Sequence, residues 1–309
     1  MVSNARPLTI LASYMVTAAA LTIRCNGIIR RHPSQKAKRN PASLALFGAL
    51  AAISLATTWS YMFAYFRWSY FDWAANNASG ATIDGQLHLG EWLRDTSLFK
   101  QAWFSALERP ARAWWTLQIF GFCAIWSVML SVQAKKRNIP QIWAFMLLGQ
   151  IVAISFASNL FFLAVLVHDV RDEKKATQTG RKPSSRTSDI LILVVNLAVT
   201  LFLFGNLDSP YFLTLLLAPH VLAFVPLLRD TLSSKSVGSS QFREPSTVLQ
   251  FGILVAVLAA GTSQAIATGE SWQSILDTLY EHPAVSSVGW DVICCWVSYT
   301  AWFLVRDSE

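Results

Sequence analysis

Charged residues are scarce in this sequence. They make up 14% of its 309 residues, whereas hydrophobic residues make up 53% and aromatic residues 13%. Soluble proteins average about 25% charged residues, so the composition excludes an ordinary water-soluble globular protein. We therefore interpret residues 1–309 as a single membrane domain that has the lipid bilayer as its main partner.

The motifs of several enzyme and binding classes are missing as well. No GxGxxG, GxxxxGK[ST], HExxH, GxSxG or paired CxxC pattern occurs, so nucleotide-binding, zinc-protease and serine-hydrolase functions have no support. The four cysteines lie at or inside apolar runs without zinc spacing, which indicates reduced structural thiols and no metal site. We predict no cofactor. The net charge of +7 does not indicate nucleic acid, because the basic residues lie beside apolar runs, where they set topology.

Long apolar runs are what the sequence has in abundance. A run of roughly 20 residues crosses about 30 Å of hydrocarbon as a helix. The candidate spans lie at 8–24, 43–66, 113–132, 141–167, 189–206, 210–228, 247–267 and 285–305. The predicted fold class is therefore all-α, a polytopic membrane helix bundle with seven or eight transmembrane helices. The first run has its basic cluster after it, so we interpret it as a mature span or a signal anchor.

Basic residues predict the orientation of the chain. The connections 24–42 and 135–138 are rich in Lys and Arg and are predicted to be cytosolic. Residues 67–112, which contain the glycosylation sequon Asn77–Ser79, are then lumenal, as in a protein of the endoplasmic reticulum membrane. The basic connection 168–188 conflicts with strict alternation through eight spans. Either one assigned span is re-entrant, or an extra crossing lies in 67–112, or the charge bias is overridden at this connection.

The lumenal connection contains a stretch with helical periodicity, LGEWLRDTSLFKQAWFSALERPARAWW. Trp92, Phe99, Trp103 and Ala106 recur at helical spacing, which predicts an interfacial amphipathic helix near 89–109. Such a helix is placed to cover a pocket in the membrane domain.

Three charged residues share one face of that predicted helix. Glu91, Arg94 and Asp95 occupy positions i, i+3 and i+4. One interpretation is a solvated charged face, because exposed charge pairs on helices are common and individually weak. The other is a functional group of two carboxylates and one guanidinium.

One acid, Asp291, interrupts the last apolar run. A charged group at the bilayer centre costs about 2.5 to 3.5 kcal/mol on insertion scales, so an intramembrane acid normally has a task or a partner. The helical steps place Cys294, Cys295, Ser298 and Trp302 on the same face as Asp291. The alternative is an acid near the lumenal interface that is hydrated and has no function.

Other polar and aromatic residues in the spans are candidate pocket residues. Asn159 shares a face with Ser155 and Ser158, and such residues serve either as contacts between helices or as ligands for a substrate. His220 is a lone histidine in a span, either a packed structural group or part of a proton relay. Aromatic walls can stabilise a carbocation. The candidate substrate-binding residues are Trp92, Asn159, Trp296 and Ser298.

Three blocks of the sequence carry a resemblance to a known family. GEWLRDTSLFKQAW, AFMLLGQIVAISFASNLFF and HPAVSSVGWDVICCWVSYTAWFLV resemble segments of the fungal integral-membrane terpenoid cyclases, which act on epoxidised prenyl chains of meroterpenoids and indole diterpenes. The resemblance is patchy and covers residues 91–303 with gaps.

The resemblance implies a membrane-bound, metal-independent terpene cyclase of secondary metabolism. In such an enzyme an acid protonates an epoxide or an alkene of a small prenylated substrate, and the resulting cation cyclises. The sequence lacks the DDxxD and DxDD acids of other terpene cyclases, so a membrane acid has to replace them. A carboxylic acid among apolar groups resists ionisation and stays ready to donate a proton.

Asp291 is placed for that role. Glu91 is its partner or the donor itself, with Arg94 orienting the pair and Asp95 as a polar neighbour or base. If Arg94 contacts Glu91 directly, Glu91 is held ionised and only Asp291 can serve as the acid. The competing hypothesis is a small polytopic transporter, with a proton-coupling acid, or a membrane assembly factor.

Overall fold

The protein is a bundle of helices. The computed structural model describes residues 5–31, 41–77, 87–170, 186–228 and 247–307. Every regular element in these ranges is helical, which confirms the predicted all-α polytopic membrane fold. In chain order the helices are α1 (Ala5–Arg31), α2 (Pro41–Asn76), α3 (Leu89–Asp95), α4 (Leu98–Leu107), α5 (Pro110–Arg137), α6 (Ile142–Ile151), α7 (Ile154–Val167), α8 (Arg186–Phe204), α9 (Phe212–Leu222), α10 (Thr247–Ala267), α11 (Trp272–Glu281) and α12 (Pro283–Asp307).

Five helices of the described part are long and apolar enough to cross a membrane, namely α1, α2, α5, α10 and α12. They contain five of the predicted spans. Helix α5 forms the centre of the bundle, since its residues are buried without interruption from Ala111 to Ala134. This helix is buried on every side, as expected of a helix at the core of a large bundle.

The predicted span 141–167 is not one helix. It breaks at Val152 and Ala153, where the Ala153 backbone is extended, and the two parts are α6 with 10 residues and α7 with 14 residues. At 1.5 Å per residue these helices are about 15 Å and 21 Å long, so neither crosses the roughly 30 Å of hydrocarbon alone. The two helices lie antiparallel, because the rings of Phe145 in α6 and Phe161 in α7 are 5.4 Å apart.

Both outer ends of this helix pair lie at the same end of the bundle. Near the start of α6, Gln141 accepts a hydrogen bond of 2.9 Å from Arg24, close to the end of α1. Near the end of α7, Phe162 packs 5.3 Å from Phe47 at the start of α2 and 4.6 Å from Trp302 near the end of α12. The pair α6–α7 is therefore a re-entrant hairpin that enters and leaves on one side.

That side carries the basic ends of the long helices. Helix α1 ends in Arg30 and Arg31, and α5 ends in Lys135, Lys136 and Arg137; we refer to it as the basic end. The chain leaves α7 at the same end, so the re-entrant alternative accounts for the basic connection 168–188, of which residues 171–185 lie outside the described residues. Ser79 of the sequon is also outside them.

The remaining two predicted spans are shorter helices. The run 189–206 lies in α8 up to Phe204, where that helix ends. The run 210–228 contains α9, which has Pro219 inside it, followed by a turn at 223–224 and one helical turn at 225–228. The segment still crosses the bundle, since Phe212 packs against Phe104 at one end and Ser131 donates to the carbonyl of Pro226 at the other. The described helices thus make seven crossings, with the hairpin as an additional re-entrant element.

The end opposite the basic end carries α3, α4 and α11. The predicted single helix near 89–109 is wrong in one respect, since it is divided into α3 and α4 at Thr96 and Ser97. Thr96 is extended and its hydroxyl donates to the carbonyl of Trp92 at 2.6 Å, which ends α3, and Ser97 precedes α4. The chain turns between the two helices, so their residues do not share one continuous face.

The re-entrant hairpin predicts the accessibility of single cysteines. In sealed vesicles, Lys136→Cys and Val170→Cys should react with a membrane-impermeant maleimide from the same side, and Tyr280→Cys in α11 from the other. All three positions are exposed, and the four native cysteines are buried and free. Labelling of Val170→Cys together with Tyr280→Cys would mean that residues 141–167 cross the membrane completely.

Candidate functional site

A cavity of about 710 Å³ lies between the helices at the level of the hairpin tip. Its walls come from α1, α2, α5, α9 and α12, α4 and the end of α3 cover it, and the hairpin tip at 149–154 closes its floor. Most of its lining is apolar, with aromatic rings that include Tyr65, Phe66, Trp103 and Phe120. The predicted cover over a membrane pocket is therefore present, although two helices form it.

Asp291 is the acid of this cavity. It lies on α12, lines the cavity and is only 6% exposed. Its Oδ2 accepts a hydrogen bond of 3.0 Å from the backbone N–H of Ile154, and its Oδ1 accepts one of 2.8 Å from that of Ser155. These are the first N–H groups of α7, which have no partner inside that helix. The carboxyl group therefore caps the positive end of a half-helix within the membrane domain.

Tyr14 satisfies the other side of the hairpin tip. Its hydroxyl donates to the carbonyl of Ile151, the last residue of α6, at 2.7 Å. A broken helix exposes both unpaired N–H and unpaired C=O groups, and inside a membrane these must find partners in the protein. Asp291 supplies the acceptor and Tyr14 the donor, so α12 and α1 hold the tip from two sides.

The tip also packs closely against the central helix. A Cβ atom at Gly149 would lie 2.5 Å from the Trp126 ring, so only glycine allows α6 to approach α5 this closely. The next residue, Gln150, donates to Sγ of Cys123 at 3.0 Å. The floor of the cavity is therefore fixed against α5.

Asn159, Ser298 and Trp296 do not line the cavity. Asn159 is fully buried, and its Nδ2 donates to Ser298 Oγ at 2.8 Å and to Ser54 Oγ at 3.4 Å. Trp296 donates to Gln118 Oε1 at 3.0 Å. These contacts join α7, α2, α12 and α5, as expected of polar residues that hold membrane helices together. Their predicted contact with a substrate gains no support from the position of the cavity.

The acidic and basic residues of α3 lie apart from Asp291. Glu91 is about half exposed and pairs with His88 at 3.2 Å, and the Arg94 guanidinium pairs with Asp95 at 2.8 Å. None of the three predicted site residues, Glu91, Arg94 and Asp95, lines the cavity. A direct contact between Arg94 and Glu91 was one alternative, and in the structure Arg94 pairs with Asp95 instead. The hydrogen bond from Arg94 lowers the pKa of the Asp95 carboxyl.

Trp92, the fourth predicted site residue on α3, is buried away from the cavity. Its Nε1 donates to Ser69 Oγ at 3.2 Å, and its ring contacts Phe66 and Tyr70. It anchors α3 to α2. Of the eight predicted site residues, Asp291 alone lines the described cavity.

A charged cluster near α11 was not predicted from the sequence. Arg112 binds Glu281 with both Nε and Nη2, at 3.2 Å and 2.9 Å, and Arg109 reaches the same carboxylate at 2.8 Å. The hydrogen bond from Arg112 lowers the pKa of Glu281. Glu108 also contacts Arg112, and that i, i+4 pair was visible in the sequence. The contact between Arg112 and Glu281 on α11 was not visible there, because the two residues are 169 positions apart.

His282 lies beside this cluster at the start of α12. Its Nδ1 accepts a hydrogen bond of 3.2 Å from the N–H of Ala284, and its ring packs 4.4 Å from Trp68. Only the neutral imidazole can accept at Nδ1. Burial, together with the nearby Arg112 charge, lowers the pKa of His282 to about 4. A neutral His282 therefore caps the helix that carries Asp291.

Comparison of the chain with protein-family models, curated proteins and solved structures finds no match in any of the three.

The hydrogen bond of Tyr14 predicts a loss of stability in Tyr14→Phe. Without the hydroxyl, the Ile151 carbonyl at the hairpin tip loses its donor, and an unsatisfied buried polar group costs about 1 to 3 kcal/mol. The melting temperature in detergent should fall below that of wild type. Tyr211→Phe is the matched control, because Tyr211 is 69% exposed. Equal melting temperatures for the two variants would show that the tip does not depend on Tyr14.

The pKa of His282 predicts that acid destabilises the protein. The unfolded histidine has a pKa of about 6.5 and the folded one about 4, so between these values the unfolded state binds more protons. Stability should therefore fall as the pH drops from about 6.5 towards 4 and stay level above 6.5. In His282→Asn, whose side-chain oxygen can still accept at the cap, thermal unfolding at pH 7 and pH 5 should differ less than in wild type. An unchanged difference would assign the acid sensitivity to other groups.

Proposed function

We propose that the protein is a membrane-bound terpenoid cyclase, which protonates an epoxide or alkene of a prenylated substrate and cyclises the isoprenoid chain. The observation that carries the proposal is the buried carboxyl group of Asp291 on the wall of an apolar, aromatic cavity. The proposal includes a role in secondary metabolism and a location in the endoplasmic reticulum membrane.

The cavity suits a substrate that arrives from the lipid. Its volume of about 710 Å³ falls in the range of about 300 to 1,000 Å³ that is typical of small-molecule sites. Ile10, Phe99 and Leu213 line the cavity and are also 41% to 62% exposed, so the cavity continues to an apolar outer surface. Lys100 is the one Lys or Arg among the described lining residues, and a single cation is a poor site for a diphosphate. A long, neutral isoprenoid fits these features better.

Aromatic rings in the lining support cation chemistry. The faces of Tyr, Phe and Trp rings attract a positive charge, and the interaction is worth about 2 kcal/mol or more where water is excluded. Trp103 and Phe120 stack with centroids 5.6 Å apart, which fixes both rings at the cavity wall. A carbocation that moves along a prenyl chain would meet such rings in the cavity that Asp291 also lines.

The hydrogen bonds of Asp291 leave room for a proton. Two carboxylate oxygens offer about four acceptor positions, and the N–H groups of Ile154 and Ser155 use one on each oxygen. Burial favours the neutral acid, whereas the two N–H donors favour the carboxylate. In the proposed step the acid transfers its proton to the epoxide oxygen as that C–O bond breaks, and the carboxylate that remains keeps both donors.

A second candidate function rests on the hairpin itself. Secondary transporters often place the N-termini of half-helices at their substrate sites, and α7 is such a half-helix with an acid at its start. In a proton-coupled transporter Asp291 would bind and release the coupling proton. Uptake of a substrate driven by a pH gradient in proteoliposomes, with no chemical change in that substrate, would favour this candidate.

The cyclase proposal predicts conversion without a change in mass. Membranes that contain the protein should convert an aromatic compound with an epoxyfarnesyl chain into a product of equal mass and different retention. Asp291→Asn should reduce conversion about 10² to 10⁴-fold, the usual contribution of general acid catalysis. Conversion is followed by chromatography and mass spectrometry, normalised to protein in the membrane.

Three variants separate the acid from its structural role. Tyr14→Phe weakens the same hairpin tip but keeps the carboxyl, so it should lose far less activity than Asp291→Asn. Asp72→Asn and Glu91→Gln remove acids outside the cavity lining, and both should be mild. Full activity in Asp291→Asn would place the acid elsewhere. Consumption of farnesyl diphosphate with release of pyrophosphate would contradict the proposed substrate class.

A further inference from the structure

We propose that His220 is the base of the cavity, the group that takes the proton when the cyclised cation loses it. This inference rests on the proposed cyclase function and adds a second residue to its site. His220 lies on α9 and lines the same cavity as Asp291.

The hydrogen bond of His220 fixes which nitrogen can act. Its Nδ1 lies 2.9 Å from the carbonyl oxygen of Leu216. A carbonyl only accepts, so Nδ1 carries the hydrogen and the lone pair of the neutral ring is on Nε2. Nε2 has no hydrogen-bond partner in the part of the chain that the structure describes. It is a basic atom that is available to a molecule in the cavity.

The other titratable side chains of the described lining are less suited to this role. Lys100 is exposed, and a lysine side chain offers hydrogen-bond donors but no acceptor. The hydroxyls of Tyr14 and Tyr65 donate to the carbonyls of Ile151 and Leu98 and are very weak bases. The thiol of Cys123 accepts a hydrogen bond from the amide of Gln150, and a thiol sulfur is a weak acceptor.

Aromatic contacts hold the imidazole in place. The ring centroids of Trp103 and Phe120 are 5.7 Å and 5.5 Å from that of His220, both edge to face. The same two rings line the cavity. The base is therefore built into the wall that would surround the cation, on a different helix from the acid.

The proton balance of the reaction requires both groups. Asp291 gives a proton to the epoxide oxygen, which becomes a hydroxyl group, and the C–O bond breaks to leave a cation. Electrons of the chain's double bonds form the new C–C bonds. Finally a C–H bond next to the cation breaks, its electrons form a C=C bond, and the proton goes to Nε2 of His220. Substrate and product have the same composition, and solvent exchange returns His220 and Asp291 to their starting forms.

The test measures substrate loss and product identity separately in His220→Gln. Without the base the cation still forms, so substrate loss should fall less than tenfold. The wild-type product should fall about 10²-fold, the lower contribution of general base catalysis. Isomers with the double bond elsewhere, or an adduct heavier by one water, should replace it. In His220→Ala, added imidazole should restore the wild-type product, which a purely structural role would not allow.

A histidine outside the cavity gives the matched control. His168 also directs Nδ1 at the carbonyl four residues earlier, at 2.8 Å, but does not line the cavity, so His168→Gln should keep the wild-type product. If the wild-type protein converts the substrate and His220→Gln gives the same product at the same rate, the proposed role of His220 is wrong and the proposed cyclase function stands. A wild-type protein that converts no prenylated epoxide would overturn both.

Discussion

The contact between the Asp291 carboxylate oxygens and the first two N–H groups of α7 is the interaction on which the rest of the structure depends. Backbone groups inside a membrane have no water to bind, so a chain can stop being helical there only where the protein supplies partners. The acid on α12 supplies them for Ile154 and Ser155, and Tyr14 does so for Ile151. With these partners the chain can turn back at mid-depth. Because it turns back, a floor exists for the cavity.

Asp291 thus combines two roles that are often divided between residues. It is costly to bury an acid in an apolar span, and the energy is recovered in part by hydrogen bonds to a helix terminus. The same bonds orient the carboxyl group towards the cavity. The catalytic role of such a residue cannot be inferred from loss of activity alone, because one substitution removes both the acid and the support of the cavity floor. Tyr14 is useful for that reason, since it holds the same tip but contributes no acid.

The sequence predicted the helices and the buried acid because both are local properties. Five of the eight apolar runs lie in helices long enough to cross a membrane, and the acid inside one of these runs is buried, as insertion costs require. The break at Val152 and Ala153 was not predicted, because both residues and their neighbours Ile151 and Ile154 are apolar and none of them is proline or glycine. The charge bias of 168–188 was the indirect signal, and it led correctly to a re-entrant element as one alternative.

The site was predicted less completely because it depends on which helices meet. Glu91, Arg94 and Asp95 lie close together in the chain, but only the fold shows that α3 turns them away from Asp291. Thr96 and Ser97 are residues that favour helix ends, and they were available as a signal that the predicted helix divides. Tyr14 and Ile151 are 137 residues apart, and no local pattern connects them.

The hairpin also has a consequence for the order in which the protein can be assembled. Both ends of α6–α7 stay on the basic side, so this element can enter the membrane without moving a charged segment across it. However, its tip is capped by α12, the last helix of the described chain, and by α1, the first. During synthesis the N–H groups of Ile154 and Ser155 therefore lack this partner until α12 is inserted. The cavity can close only then, so a nascent chain that stops before α12 has no finished site.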